Sequence, residues 1–128
     1  MTDKLPATTA ASLEGLTAAL AKIAELAPER MTVRQALFLT SLAHREAMGH
    51  TASVPLIRED RPVLKRAGEK HKDCFLAPTS RHPDALGWVE QEYDEGDRRM
   101  RYLKLTPEGR EVVTALAAAL AKPERRPT

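Results

Sequence analysis

Apolar positions along the chain keep a helical period at both ends and switch to a period of two near residue 100. Over residues 8–27, Leu13, Leu16, Leu20, Ile23 and Ala27 recur at three- and four-residue spacing, the repeat of one helix face. Alanines fill many positions between them and allow another helix to approach closely. Pro28 is expected to end this helix, and residues 1–6 to fray. A capping box opens a second helix: Thr32 stands three residues before Gln35, so each side chain can satisfy the other's backbone N–H. Ala36, Leu37, Phe38, Leu39, Leu42 and Ala43 carry this helix to about Met48, and Gly49 is a suitable stop. Its apolar residues lie on several faces, which places it at the centre of a core.

The middle of the chain is less regular. Residues 51–53 predict a short extended piece. Ser53 can cap a helix whose first turn tolerates Pro55. Leu56, Ile57, Val63, Leu64 and Ala67 supply apolar contacts, and Arg61-Pro62 is expected to break or kink the helix. Residues 68–78 show no clear period. Thr79 or Ser80 is expected to cap a short helix ending at Leu86, with Gly87 turning the chain onward.

Residues 88–93 and 100–105 flank the charged loop Asp94-Glu95-Gly96-Asp97-Arg98-Arg99, a hairpin pattern. In the second strand Arg101, Leu103 and Leu105 alternate with Met100, Tyr102 and Lys104, as a half-buried strand requires. Trp88 and Tyr102 read as anchors of the hairpin on the core. Thr106 caps a last helix, with Pro107 at its first position, where no N–H is missed. That helix runs to about residue 122 with Val112, Val113, Leu116, Ala119 and Leu120 on its apolar face. Pro123 stops it before a loose tail. The expected fold class is mainly α with a small β-hairpin. A two-stranded sheet with an arginine-tipped loop, packed on helices, is the wing of a winged helix-turn-helix.

Length and composition sharpen this picture. A chain of 128 residues predicts one domain over 1–128, able to bury a core but helped by a partner. Aromatic residues make up only 4%, and alanine and leucine dominate, which favours helices over a sheet-rich fold. The net charge of +2 is too small to argue nucleic-acid binding, so the placement of charge must decide. Residues 58–81 hold seven Lys/Arg against four acids, whereas the first fifty hold five of each. Arg98, Arg99, Arg101 and Lys104 follow with no intervening acid. No apolar run is long enough to span a membrane and no secretory leader is evident, so a cytoplasmic protein is expected. The single cysteine, Cys74, reads as a free thiol. The sharper reading is a redox sensor whose pKa is lowered by Lys70, His71 and Lys72.

The chemistry points to binding rather than catalysis. His44, His50, His71 and His82 show no metal spacing, and no glycine-rich phosphate loop or catalytic triad is present. No enzyme activity, metal or cofactor is expected. Arg98 and Arg99 sit on a thin loop that can enter a minor groove, where narrow A·T tracts concentrate negative potential. Thr79, Ser80, Arg81 and His82 would stand at a helix start, suited to phosphate or to base edges. Lys65, Arg66, Lys70 and Lys72 read as phosphate contacts, which give affinity without sequence information. Each of these sets also has a plain reading as solvated surface charge or ordinary capping. The stripe of Leu13, Leu16, Leu20 and Ile23, with Val113, Leu116 and Leu120, predicts a homodimer through residues 8–27 and 107–122. The alternative is that the first helix simply covers the core.

The stretch 86–113 resembles the wing of the MarR family of bacterial transcriptional regulators. There the loop tip carries Asp-x-Arg and the second strand runs into Leu-Thr-x-x-Gly; here these are Asp97-Arg98-Arg99 and Leu105-Thr106-Pro107-Glu108-Gly109. The resemblance implies a sequence-specific, dimeric repressor that binds double-stranded DNA. It implies Arg99 as the inserted side chain, with Asp97 holding its guanidinium. It also implies a small-molecule effector pocket between the dimer helices and the DNA-binding lobe. The chain departs from the family between residues 51 and 87. Pro78 and Pro83 preclude a long reading helix over 74–86, which leaves the base-reading residues open. The competing function is a winged-helix protein–protein module in which DNA reading has been lost.

Overall fold

The computed structural model describes residues 7–27, 31–97 and 99–121. Among them are five α-helices and one two-stranded antiparallel hairpin. The helices are α1 (Ala7–Leu26), α2 (Val33–Ala47), α3 (Val54–Asp60), α4 (Gly68–Asp73) and α5 (Pro107–Ala121), with a 3-10 segment, Pro62–Ala67, before α4. The strands are β1 (Val89–Tyr93) and β2 (Arg101–Leu105). The Pro28 stop, the fraying of 1–6, the Pro123 stop and the tail beyond it lie outside the described residues.

The chain divides into two compact units, one of Met1–Arg30 with Val112–Thr128 and one of Met31–Glu111. In the first, α1 approaches α5 at Gly15. A Cβ there would come within 2.9 Å of the Leu120 carbonyl oxygen, so only glycine admits this contact. Val112 and Leu116 are buried, while Leu13, Leu16, Leu20 and Leu120 stay about half exposed.

In the second unit the capping box forms as the sequence requires. Thr32 Oγ1 accepts the Gln35 N–H at 3.1 Å and Gln35 Oε1 accepts the Thr32 N–H at 2.8 Å. Helix α2 then buries Phe38, Leu39 and Leu42, and Gly49 turns the chain at φ 77°. Ser53 Oγ accepts the Leu56 N–H at 3.3 Å to start α3, which ends at Asp60, two residues before Pro62. Phe75 is the hub of the core: its ring stacks on Phe38 at 6.3 Å and on Trp88 at 6.0 Å.

The hairpin pairs Val89 with Leu105 and Tyr93 with Arg101. Leu103 and Leu105 face the core. On its other side β2 meets Ala52, whose carbonyl accepts the Leu103 N–H at 2.8 Å. The extended piece expected at 51–53 is this single rung. Glu46 accepts the Leu105 N–H at 3.0 Å and pairs with Arg110, joining α2 to the end of β2 and the start of α5. Thr106 Oγ1 accepts the Gly109 N–H at 3.1 Å and donates to the Gly87 carbonyl at 2.8 Å.

Two sequence expectations fail in the connection from α3 to β1. Residues 68–73 form α4, although no apolar period marks it. Residues 80–86 are not a helix. Thr79 and His82 exchange backbone hydrogen bonds at 3.1 and 3.2 Å, and Thr79 Oγ1 accepts the His82 N–H at 3.1 Å. The hydroxyl that would have capped a helix closes a turn instead, between Pro78 and Pro83. Leu86, Gly87 and Trp88 then bond back to Cys74, Leu76 and Phe75, so the chain returns along its own path.

Candidate nucleic-acid interface

The hairpin tip is built from turns closed by its own aspartates. Asp94 Oδ1 accepts the Gly96 N–H at 3.2 Å, and Asp97 Oδ1 accepts the Arg99 N–H at 3.0 Å. Asp94 and Met100 are joined across the tip by a backbone bond of 3.0 Å. Asp97 therefore fixes the Arg99 main chain, not its guanidinium. An Asp side chain reaches the N–H two residues ahead with little loss of freedom, and this local turn wins over a longer ion pair. Arg99 stays exposed. Arg98 lies outside the described residues. Arg101 is also exposed, its guanidinium 5.4 Å from the centre of the Tyr93 ring across the ladder. Tyr93 was not singled out in the sequence, yet it faces Arg101 directly in the hairpin register.

Between the hairpin and the start of α3 lies an open cleft of about 600 Å³. Ser53, Val54, Pro55, Lys72, Arg99, Met100, Arg101 and Leu103 line it. Arg99, Arg101 and Lys72 are the basic residues among these eight. Lys72 is only 6% exposed, on α4 where that helix packs on α2 and α3. The expectation of a solvent-facing lysine at this position is corrected accordingly.

The other expected contacts are dispersed. Lys65 is exposed, on the 3-10 segment. The side chains of Arg66 and Lys70 lie outside the described residues. Thr79, Ser80, Arg81 and His82 are exposed on the turn, and His82 Nε2 stands 3.8 Å from Asp73. They share no helix N-terminus, so no helix dipole supports anion binding there. Lys104 is paired with Glu92 at 2.8 Å and with Glu90 at 3.8 Å. Its pKa is raised chiefly by the Glu92 hydrogen bond and charge. This lysine adds little net positive charge to the hairpin.

Cys74 is a free thiol whose pKa burial pushes up to about 11, with the Asp73 charge adding to the effect. The lowering expected from Lys70, His71 and Lys72 does not occur, and the reactive thiolate is disfavoured. His71 is buried against Phe38, and burial followed by the Arg34 charge lowers its pKa. Among the described residues no His/Cys/Asp/Glu group could hold a metal ion, and no helix is long and apolar enough to cross a membrane.

On the first unit, Leu13, Leu16 and Leu20 form an exposed apolar stripe on α1, and Leu120 is exposed on α5. Ile23 and Val113 are half-buried. Leu116 faces inward, which removes it from the open face expected of it. A scan of protein families, a search of curated proteins and a search of solved structures each returned no match.

Proposed function

We propose that the chain is a non-catalytic, winged helix-turn-helix regulator that binds duplex DNA as a homodimer in the cytoplasm. The observation that carries this reading is the cleft between hairpin and α3, with the exposed Arg99 and Arg101 among the residues that line it. The element order supports it: α2, the Ala52 rung, α3, then residues 62–73, then the hairpin as the wing. In that arrangement the segment 62–73 takes the place of the reading helix, upstream of the 80–86 stretch favoured by sequence. A phosphate strand would run through the cleft, with Arg99 directed to the minor groove. The leucine stripe of α1 would pair two copies, so that two wings meet successive half-sites. Control of transcription as a repressor is the regulatory role consistent with such a dimer.

The test is fluorescence anisotropy with duplex DNA from upstream of the protein's own gene, at two salt concentrations. Affinity should fall steeply with salt as condensed counterions are released. Arg99→Ala should lower affinity by about 1–3 kcal/mol. The break in residues 62–73 favours a second reading, a winged-helix module for an acidic protein partner. Absence of duplex binding at low salt would make that reading the better one.

A further inference from the structure

The cations Arg101 and Lys104 of β2 are both held across the ladder by β1, and they are held differently. On one face Lys104 is bound by Glu92 at 2.8 Å and by Glu90 at 3.8 Å, and these carboxylates offset its charge. On the opposite face, the one that buries Leu103 and Leu105, Arg101 stands directly across from Tyr93. The Leu103 N–H points away from β1, to the Ala52 carbonyl. Two residues along, Arg101 and Tyr93 form the same non-hydrogen-bonded kind of pair, in which cross-strand side chains lie closest. The guanidinium carbon lies 5.4 Å from the ring centre, within cation–π range. Among the described residues no carboxylate is paired with Arg101.

An aromatic partner acts differently from a carboxylate. It restricts the long side chain, yet leaves the charge in place and the five guanidinium N–H donors available. Arg101 also lines the cleft between the hairpin and α3. Arg99 lines it too, but Asp97 holds only its backbone N–H, not its guanidinium. Of these two arginines, Arg101 enters a complex with less rotamer freedom left to lose. Tyr93 is 59% exposed, so its ring serves the surface and not the core.

We propose that Tyr93 is a positioning residue, which holds Arg101 at the cleft as a pre-formed fork for a DNA phosphate. This rests on the DNA-binding reading. The planar fork offers a phosphate two parallel hydrogen bonds, which a lysine in its place would not reproduce.

The test measures duplex affinity and its salt dependence in the full chain, for Tyr93→Leu, Tyr93→Phe, Arg101→Ala and the double variant of Tyr93→Leu with Arg101→Ala. Arg101→Ala should lower affinity about tenfold or more and reduce the salt slope by about one, since one phosphate contact is lost. Tyr93→Leu should lower affinity about three- to tenfold with the slope unchanged, because the charge remains. Tyr93→Phe keeps a ring and should bind within about twofold of wild type. Once Arg101 is absent, Tyr93→Leu should cost nothing further. Wild-type affinity in Tyr93→Leu, or an equal loss with and without Arg101, would overturn the proposal and leave the DNA reading standing. NMR of the free chain adds a readout that needs no DNA: the Arg101 side-chain protons should carry a ring shift that disappears in Tyr93→Leu. Without that shift in wild type the positioning role is refuted, whatever the DNA result. If the shift is present but wild type binds no duplex at low salt, the DNA reading fails and the phosphate role of Arg101 is overturned with it.

Discussion

Gly109 lies in the first turns of α5, where a helix normally prefers almost any residue to glycine. Replacing it with alanine should nevertheless destabilise the 31–111 unit by about 2–4 kcal/mol. The reason is the backbone it rests on. A Cβ at residue 109 would overlap the carbonyl oxygen of Trp88, and would approach Trp88 C at 2.9 Å and Cα at 3.2 Å. No side-chain rotation relieves a clash with main chain. The start of α5 must lift, which stretches the Thr106 N–H bond to the Trp88 carbonyl (3.0 Å) and the Thr106 hydroxyl bond to Gly87 (2.8 Å). Each such bond is worth about 1 kcal/mol net, and overpacking against a fixed wall adds about 1–3 kcal/mol. The better helix propensity of alanine returns about 1 kcal/mol. Urea unfolding followed by Trp88 fluorescence measures the difference, because Trp88 is the sole tryptophan and is buried beside the lesion. Gly96→Ala is the control. A Cβ there meets only Asp94 Oδ1, at 3.9 Å, and stability should change by less than about 0.5 kcal/mol. A Gly109→Ala protein as stable as wild type, or more stable, would refute the steric argument.

Arg45→Ala should cost about 1.5–3 kcal/mol in the same urea assay, since one guanidinium holds the Thr51 carbonyl and Asp60, both at 2.7 Å. His71 gives a pH dependence. Its pKa is lowered in the folded chain, so the unfolded chain takes up the proton first. Stability should be full above pH 6.5 or so and should fall as pH drops through the unfolded value; His71→Gln should flatten that slope between pH 7 and 5. Leu16→Glu combined with Leu20→Glu should yield monomers in sedimentation velocity. A wild type already monomeric at tens of micromolar (on the order of common assay concentrations) would count against the dimer.

What could be read from the sequence was whatever carries a local chemical signal. The Thr32–Gln35 box, the Ser53 and Thr106 caps and the alternation of 100–105 depend on residues within a few positions of one another, and each appears as expected. The α4 helix has six residues, too few to announce a period, and it owes its place to packing on α2 and α3. Thr79 shows the opposite failure: its hydroxyl found a backbone N–H three residues ahead, as a helix cap would, but inside a turn. The cleft was not legible at all. Its walls come from residues 53–55, 72, 99–101 and 103, and the Leu103–Ala52 rung and the docking of α4 bring them together. Lys72 looked like surface charge because nothing in its own neighbourhood reveals which side of α4 it occupies.

The hairpin has two unequal edges. The Leu103 and Leu105 N–H groups turn away from β1, to Ala52 and Glu46, so the β2 edge is closed. The same alternation turns the backbone groups of Gln91 and Tyr93 outward on β1, where no described strand receives them. An open ladder of this kind is a template for a foreign strand. Here the template is short and carries Glu90 and Glu92, so a second β1 laid against it would set carboxylates beside carboxylates. The two glutamates that bind Lys104 across the hairpin thus also guard its open side, and a chain with neutral residues at both positions would be prone to edge-to-edge aggregation.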